Sequence, residues 1–190
     1  MTAMNTGFST GVRNFKIGVV TADTENTFSV PTKYTINTVT QANWAFNIES
    51  FDHRGDDKLL EITQVIDKFT VDFEHTGVSP ELLAIITGSY AANFCDTAVE
   101  VDPSTSAQTD LGGEVFEHDL QAVSSYFHIE FDALMSDGKL MQIQIAKCKV
   151  SSGPSGTFQD KTVSNNVFQA TAVSPRNPIK PAVRFLRKTS

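Results

Sequence analysis

Apolar residues recur at every second position along most of this chain, and that period sets the expected elements. Phe15, Ile17 and Val19 alternate with polar or small neighbours, which predicts a first short strand over residues 15–21, punctuated by residues 23–26. From residue 27 to residue 48, Phe28, Val30, Tyr34, Ile36, Trp44, Phe46 and Ile48 keep to even positions, interrupted at Pro31 and at residues 41–43. One or two extended strands follow from that spacing. The polar, Gly-centred run at 50–58 (SFDHRGDDK) reads as an exposed loop or hairpin tip. Residues 59–75 are again extended, but Leu60, Ile62 and Ile66 are even whereas Phe69, Val71 and Phe73 are odd. A one-residue slip swaps faces, so a bulge or break is expected near Asp67 and Lys68, with Thr70, Asp72 and Glu74 on the face opposite the phenylalanines.

Residues 79–88 carry a helical spacing. Ser79 suits an N-cap, Pro80 the first helical position, Glu81 the positive end of the dipole, and Gly88 a left-handed C-terminus. Leu82, Leu83, Ile85 and Ile86 would cover a sheet, and a helix of under three turns must lean on tertiary packing. Residues 93–114, rich in Thr, Ser, Asp and Gly, read as a surface excursion. Phe127, Ile129, Phe131 and Ala133 then alternate with His128, Glu130 and Asp132. Asp137 and Gly138 predict a tight primed turn, after which Met141, Ile143 and Ile145 resume the alternation as a hairpin. A further strand is expected over 162–173, and Pro175, Pro178 and Pro181 keep the end extended.

Composition narrows this picture. At 190 residues the chain can bury one sizeable core, so a single domain over 1–190 is expected. With 14 Phe against 1 Trp and 3 Tyr, and many Thr, Val and Ile, an all-helical bundle is excluded. The charged fraction, 19%, is low enough to suggest surface covered by other protein. The longest apolar run, 82–86, falls far below the ~20 residues of a membrane span, and residues 1–11 show no signal-peptide pattern. The expectation is a soluble chain made in a cytoplasm, without membrane insertion, whose Cys95 and Cys148 stay reduced.

Charge is unevenly placed. The net charge is −7, yet after Asp160 there are six basic residues and no acid, which leaves −13 on residues 1–160. An acidic body repels nucleic acid, whose binding depends on Lys and Arg neutralising phosphates. The basic end reads as an arm that docks on an acidic neighbour. His53, His75, His118 and His128 lack metal-ligand spacing, and no phosphate cradle or nucleophile elbow occurs. The acids between Asp96 and Asp119 lack a calcium-loop pattern. Asp72 with Glu74, and Glu130 with Asp132, fit the paired carboxylates of a hydrolase, but they fit the wet faces of amphipathic strands more simply. No metal, cofactor or catalytic residue is expected.

One stretch has a familiar order of elements. The Gly-Asp loop Arg54-Gly55-Asp56-Asp57-Lys58 leads into an extended strand and then FTVDFEHTGVSPELLAIITGS, with Phe69, Val71 and Phe73 followed by Leu82, Leu83, Ile85, Thr87 and Gly88. With the later Asp137-Gly138-Lys139 hairpin, the MQIQIAKCKV strand and the strand through Phe168, this order resembles the tail tube (major tail) proteins of long-tailed bacteriophages over most of residues 13–172. That resemblance implies a mainly β subunit, a β-sandwich or barrel-forming fold with one short flanking helix and extended terminal arms. It implies hexameric rings stacked into a tube whose bore passes the genome.

Carried over residue by residue, it implies that Asp72, Glu74, His128, Glu130 and Asp132 line the lumen with Thr70 beside them. Phe51, Asp52, His53, Arg54, Asp56, Asp57 and Lys58 of the 50–58 loop would contact the next ring. Residues 1–14 would be an N-terminal arm, and residues 174–190 a basic C-terminal arm binding neighbouring subunits through Arg176, Lys180, Arg184 and Arg187. The implied partners are further copies of the chain, tape-measure and tail-terminator or tail-tip proteins, and DNA in transient passage. The implied location is the virion tail, after synthesis in the host cytoplasm. Other readings are a head-to-tail connector or tail-terminator ring, a β-sandwich carbohydrate-binding or adhesin module, and a hydrolase using the paired acids.

Overall fold

The structure is a computed structural model, and it describes residues 11–55, 58–76, 80–88, 94–95, 99–101, 108–110, 115–116, 123–156 and 165–187. Among them β1 spans Val12–Val19, β2 Ala22–Asp23, β3 Phe28–Ser29, β4 Tyr34–Thr35, β5 Val39–Gly55 and β6 Lys58–Thr76. The helix α1 (Pro80–Thr87) follows, then β7 (Phe94–Cys95), β8 (Val99–Val101), β9 (Gln108–Asp110) and β10 (Val115–Phe116). The chain ends with β11 (Phe127–Leu134), β12 (Leu140–Gly156), β13 (Asn165–Ala172) and β14 (Val183–Arg187). The fold is mainly β, as the period of two requires.

One antiparallel sheet of eight strands dominates, in the order β4-β1-β11-β12-β13-β6-β5. The first half of β12 pairs with β14 and the second half with β13, both on the edge away from β11. Phe15 of β1 and Phe73 of β6 are four strand spacings apart, roughly 19 Å in a flat sheet, yet their rings meet at 4.8 Å. The sheet is therefore curled around its own apolar face. Phe15, Phe73, Phe127, Phe131 and Phe168 fill the interior with Ile17, Ile129, Ile143 and Ile145. Leu82, Ile85 and Ile86 of α1 are wholly buried against this core.

The helix meets the sequence expectation. Pro80 opens it, and Gly88 takes φ +84° with its N–H donating to the Ala84 carbonyl at 3.1 Å. Glycine is needed there twice over, because a Cβ would also come within 2.4 Å of the Val123 carbonyl oxygen. Ser79 lies outside the described residues.

The bulge also falls where the parity change placed it. Asn47 pairs with Lys68 and Ile48 with Ile66, so Asp67 is the extra residue. Further on, β13 covers the described part of the expected 162–173 strand.

Several expectations are corrected. Of the two readings of 50–58, loop or hairpin tip, the structure supports the second and replaces the loop: β5 and β6 form one long hairpin paired out to Gly55 and Lys58. Polar composition marks that stretch as exposed, but the hairpin ladder satisfies its backbone, and Asp56 and Asp57 at the tip lie outside the described residues. The β11–β12 turn is not a primed pair, because only Gly138 has positive φ. Met135 N–H bonds the Lys139 carbonyl and Gly138 N–H the Met135 carbonyl, which makes a three-residue loop with a left-handed glycine.

Both arms are also shorter than expected. β1 already begins at Val12, paired with Ala133, and residues 1–10 lie outside the described set. Residues 183–187 of the C-terminal arm are a strand of the chain's own sheet. Of the 93–114 excursion, the described parts are the ribbons β7–β10 and β8–β9.

Phe73 contacts the rings of Phe15, Phe131 and Phe168 and is fully buried. Phe73→Ala is expected to cost about 3–5 kcal/mol, read as a lower urea midpoint with an unchanged slope.

Candidate functional site

Two regions stand out: a network of charged residues on the outer face of β1, β11 and β12, and an apolar surface along the β5–β6 hairpin. The network corrects the expectation of a wet acidic strand. Glu130 is 6% exposed and Asp132 2% exposed, because β11 is a central strand and its outer face is roofed. Glu130 accepts from Lys33 Nζ at 2.6 Å, and Lys16 Nζ lies 3.5 Å away. His128 Nε2 stands 3.4 Å from the same carboxylate. Asp132 accepts from the Asn14 side-chain amide at 2.8 Å. Glu130 is thus already neutralised and Asp132 hydrogen-bonded within one chain.

The roof depends on Gly18. It pairs with His128 across the ladder, and a Cβ there would meet the Thr32 carbonyl oxygen at 2.3 Å and Val30 Cγ1 at 2.7 Å. The 30–33 segment therefore lies directly on β1, and that approach brings Lys33 to Glu130. Burial raises the Glu130 carboxyl, but hydrogen bonds from Lys33 and His128 outweigh it and hold its pKa below the ordinary 4.5. Burial pushes the His128 imidazole below its ordinary 6.5, with Glu130 opposing.

A second clasp holds the C-terminal segment. Lys147 donates to Asp23 at 2.6 Å and lies 4.1 Å from the centre of the Tyr126 ring, and Asp23 also accepts the Arg176 backbone N–H at 2.8 Å. The Lys147 bond is the main reason the Asp23 carboxyl is held low. Arg187 pairs with Asp137, and Arg184 sits opposite Gln144 on β12. Arg176, Lys180, Arg184 and Arg187 are all exposed; the backbones of the first three are bonded within the chain, and Arg187 pairs through its side chain.

Thr70, Asp72 and Glu74 do share the β6 face opposite Phe69, Val71 and Phe73, and all three are half-buried. Asp72 accepts from the Gln169 amide at 2.6 Å. The structure does not gather these acids with Glu130 and Asp132 into one row, since β12 and β13 intervene. For Phe51, Asp52, His53, Arg54 and Lys58 only the strand backbone is described. Among the described residues no cluster of three or more metal-ligating side chains occurs. Cys148 donates to the Phe127 carbonyl, and burial pushes its thiol well up, away from thiolate chemistry.

The hairpin carries the more telling surface. Trp44 faces Val71, Phe46 faces Phe69 and Ile48 faces Ile66, so all six side chains share the sheet's inner face. Within the sheet that face is covered: Val71 is buried, and Phe69 is enclosed by Trp44, Phe46 and Phe185 at ring distances of 4.8–6.3 Å. Beyond Phe69 the cover ends. Trp44 is 46% exposed, Phe46 40%, Ile48 58% and Ile66 60%.

There β13 stops at Ala172, so among the described strands neither β6 before Thr70 nor the far edge of β14 has a partner on that side. Between them opens a cleft of about 330 Å³ lined by Phe46, Ile66, Phe69, Ala172, Val183 and Phe185. Sequence reading found Trp44, Phe46, Ile48 and Ile66 by parity but not their exposure, which depends on where β13 ends.

Among the described residues no helix is long and apolar enough to cross a membrane. The chain matches no protein-family model, and no curated protein matches it in sequence.

Two outcomes follow for the network. Gly18→Ala should lift the 30–33 segment at a cost of about 1–3 kcal/mol. If it does so by withdrawing Lys33, then Lys33→Met costs less in the Gly18→Ala background than alone, as a double-mutant urea series would show. On acidification, the preference for neutral His128 is complete above pH 6.5 and lost as pH falls through its lower folded value. The Glu130 contribution is present above pH 4.5 and lost as pH falls through its own depressed value. Thermal midpoints should therefore fall in two stages, with His128→Asn removing the upper one and Glu130→Gln reducing the lower, to which Asp23 and Asp137 also contribute.

Proposed function

We propose that the chain is a structural virion protein that assembles as stacked hexameric rings into the tail tube of a long-tailed bacteriophage. The observation that carries the proposal is the inner apolar face of β5–β6, which runs on past the molecule's own cover at Ile48 and Ile66. Contiguous exposed apolar surface marks a protein contact. A free edge lies beside it, because β5 ends the sheet order and carries no further strand among the described residues. Long open edges invite pairing with another chain, and ring closure removes that hazard. The hairpin stem beyond Phe69 extends roughly 30 Å at the rise of a β-strand, long enough to reach a neighbour.

In this reading a subunit lays its apolar hairpin face on a neighbour, which completes a sandwich or barrel-like packing between copies. The 50–58 tip reaches toward the next ring. Asp72 and Glu74 on β6 are the acids that turn to the bore, since Glu130 and Asp132 are sequestered by Lys33, Lys16 and Asn14. DNA passes without sticking because the lining lacks a Lys and Arg array to displace its counterions. Tape-measure and tail-terminator or tail-tip proteins are the further partners. A single connector or terminator ring would use the same surfaces without stacking. A carbohydrate-binding module gains one point, the half-exposed Trp44, although that ring is already stacked on Phe69 and beside Phe185.

Trp44 is the chain's single tryptophan, which makes it a direct reporter. On concentration, rings or tubes should form in electron micrographs as Trp44 emission shifts to the blue. Ile48→Lys with Ile66→Lys should prevent both while leaving the circular dichroism of the folded subunit intact. A monodisperse monomer at high concentration, with Trp44 emission unchanged, would overturn the proposal, and saturable Trp44 quenching by an oligosaccharide would transfer the surface to sugar binding.

A further inference from the structure

On the opposite side of the sheet from the hairpin surface, a second and smaller cleft of about 70 Å³ lies between β3, β12 and the C-terminal segment. Its lining includes His128, Gln144, Lys180 and Arg184, with Phe28 and Pro181 as apolar walls. That space holds roughly two waters' volume, or one small polyatomic ion. We propose that this cleft is a binding site for a small tetrahedral oxyanion, of the phosphate or sulfate type.

Its construction is specific. The backbone of Arg184, an exposed residue, is set by the ladder pairing of β14 to β12, opposite Gln144. Lys180 is set on a tight turn, in which its N–H bonds the Asn177 carbonyl and the Ile179 N–H bonds the Asn177 side chain. The third group is His128, 8% exposed, whose Nε2 lies against Glu130 and whose Nδ1 is buried with no hydrogen-bond partner. The Ala146 backbone also favours the protonated ring. The ring lines the cleft, so an anion held there would act on it through charge rather than through Nδ1, which is closed to solvent.

Charge agrees with this assignment. None of the described residues lining the cleft is acidic. The nearest carboxylate, Glu130, faces the Nε2 side of the ring and is already answered by Lys33 and Lys16. Arg184 and Lys180 present donors from two elements, with a protonated His128 as a further positive charge beside them. That suits an ion with several acceptor oxygens and more than one negative charge better than a carboxylate. Burial favours the neutral His128 ring. An arriving anion supplies counter-charge beside the ring, so the ring takes up a proton and donates from Nε2 to Glu130. Binding should therefore tighten as pH falls, with at most a tenfold gain per pH unit.

Because Arg184 and Phe185 point to opposite faces of β14, the site shares no side chain with the hairpin surface and does not depend on the assembly reading. The test is calorimetric titration of the full chain with sulfate, whose charge is constant near neutrality, at fixed ionic strength set by chloride. Saturable binding is expected, with proton uptake revealed by buffers of different ionisation heat. Arg184→Gln or Lys180→Gln should weaken it about tenfold, while Lys139→Gln on the distant β11–β12 turn should not change it. His128→Asn should abolish proton uptake even where weak binding persists.

Heat that tracks ionic strength without saturating, or equal affinity in Arg184→Gln and the parent, would overturn the site. Displacement of sulfate by a short DNA duplex would assign the group to a nucleic-acid backbone. Displacement by inorganic phosphate alone would assign it to a free ion. Both of these sustain the oxyanion site.

Discussion

A single apolar surface runs from the centre of the curled sheet out along the β5–β6 hairpin, and its continuity depends on one extra residue. Strand side chains alternate faces, so the even-numbered apolar residues before Asp67 and the odd-numbered ones after it would point apart in a regular ladder. The bulge at Asp67 brings Ile66 to the same face as Phe69, opposite Ile48 and Phe46. Without it, the inner face would turn polar where the hairpin leaves the sheet, and the protruding stem would need no cover. With it, the molecule carries its core face beyond its own core.

The other side of the sheet solves a different problem. β11 is buried on both faces, yet its outward residues are His128, Glu130 and Asp132. Buried charge is tolerated only when paired, and the partners come from far along the chain: Asn14 and Lys16 from β1, Lys33 from the segment that Gly18 lets approach. The same logic ties the C-terminal segment down through Asp23, Lys147 and Arg176. Acids that look like a wet face in one strand are, in three dimensions, clasps between strands.

This contrast explains what could be read from the sequence. The long strands of the sheet, α1 and the bulge are legible because period, capping residues and parity are local signals, and Phe69, Val71, Phe73 and Leu82 fall in the core as those signals require. By contrast, β14 and the ribbons of 94–116 carry no such signal. The burial of Glu130 was not legible, because Lys33 stands 97 positions away and nothing in either neighbourhood announces the meeting. Nor was the bareness of Trp44 and Ile66, since cover depends on β13 ending at Ala172 and on β14 taking its place along β12. The 50–58 run leaves loop and hairpin tip open, because polar composition fits either, and only the pairing out to Gly55 and Lys58 decides between them.

The charge of the body takes a different meaning in this light. A net −13 over residues 1–160 invites a picture of free carboxylates, but Asp23, Asp72, Glu130, Asp132 and Asp137 each accept from a donor within the chain. Pairing removes their capacity to grip a cation, yet it does not remove the excess of negative charge, which acts through the summed field over many ångströms. Repulsion of a polyanion therefore needs no row of bare acids. It needs an acidic subunit whose cations are locked in local pairs, and Lys33, Lys147 and Arg187 are held in such pairs.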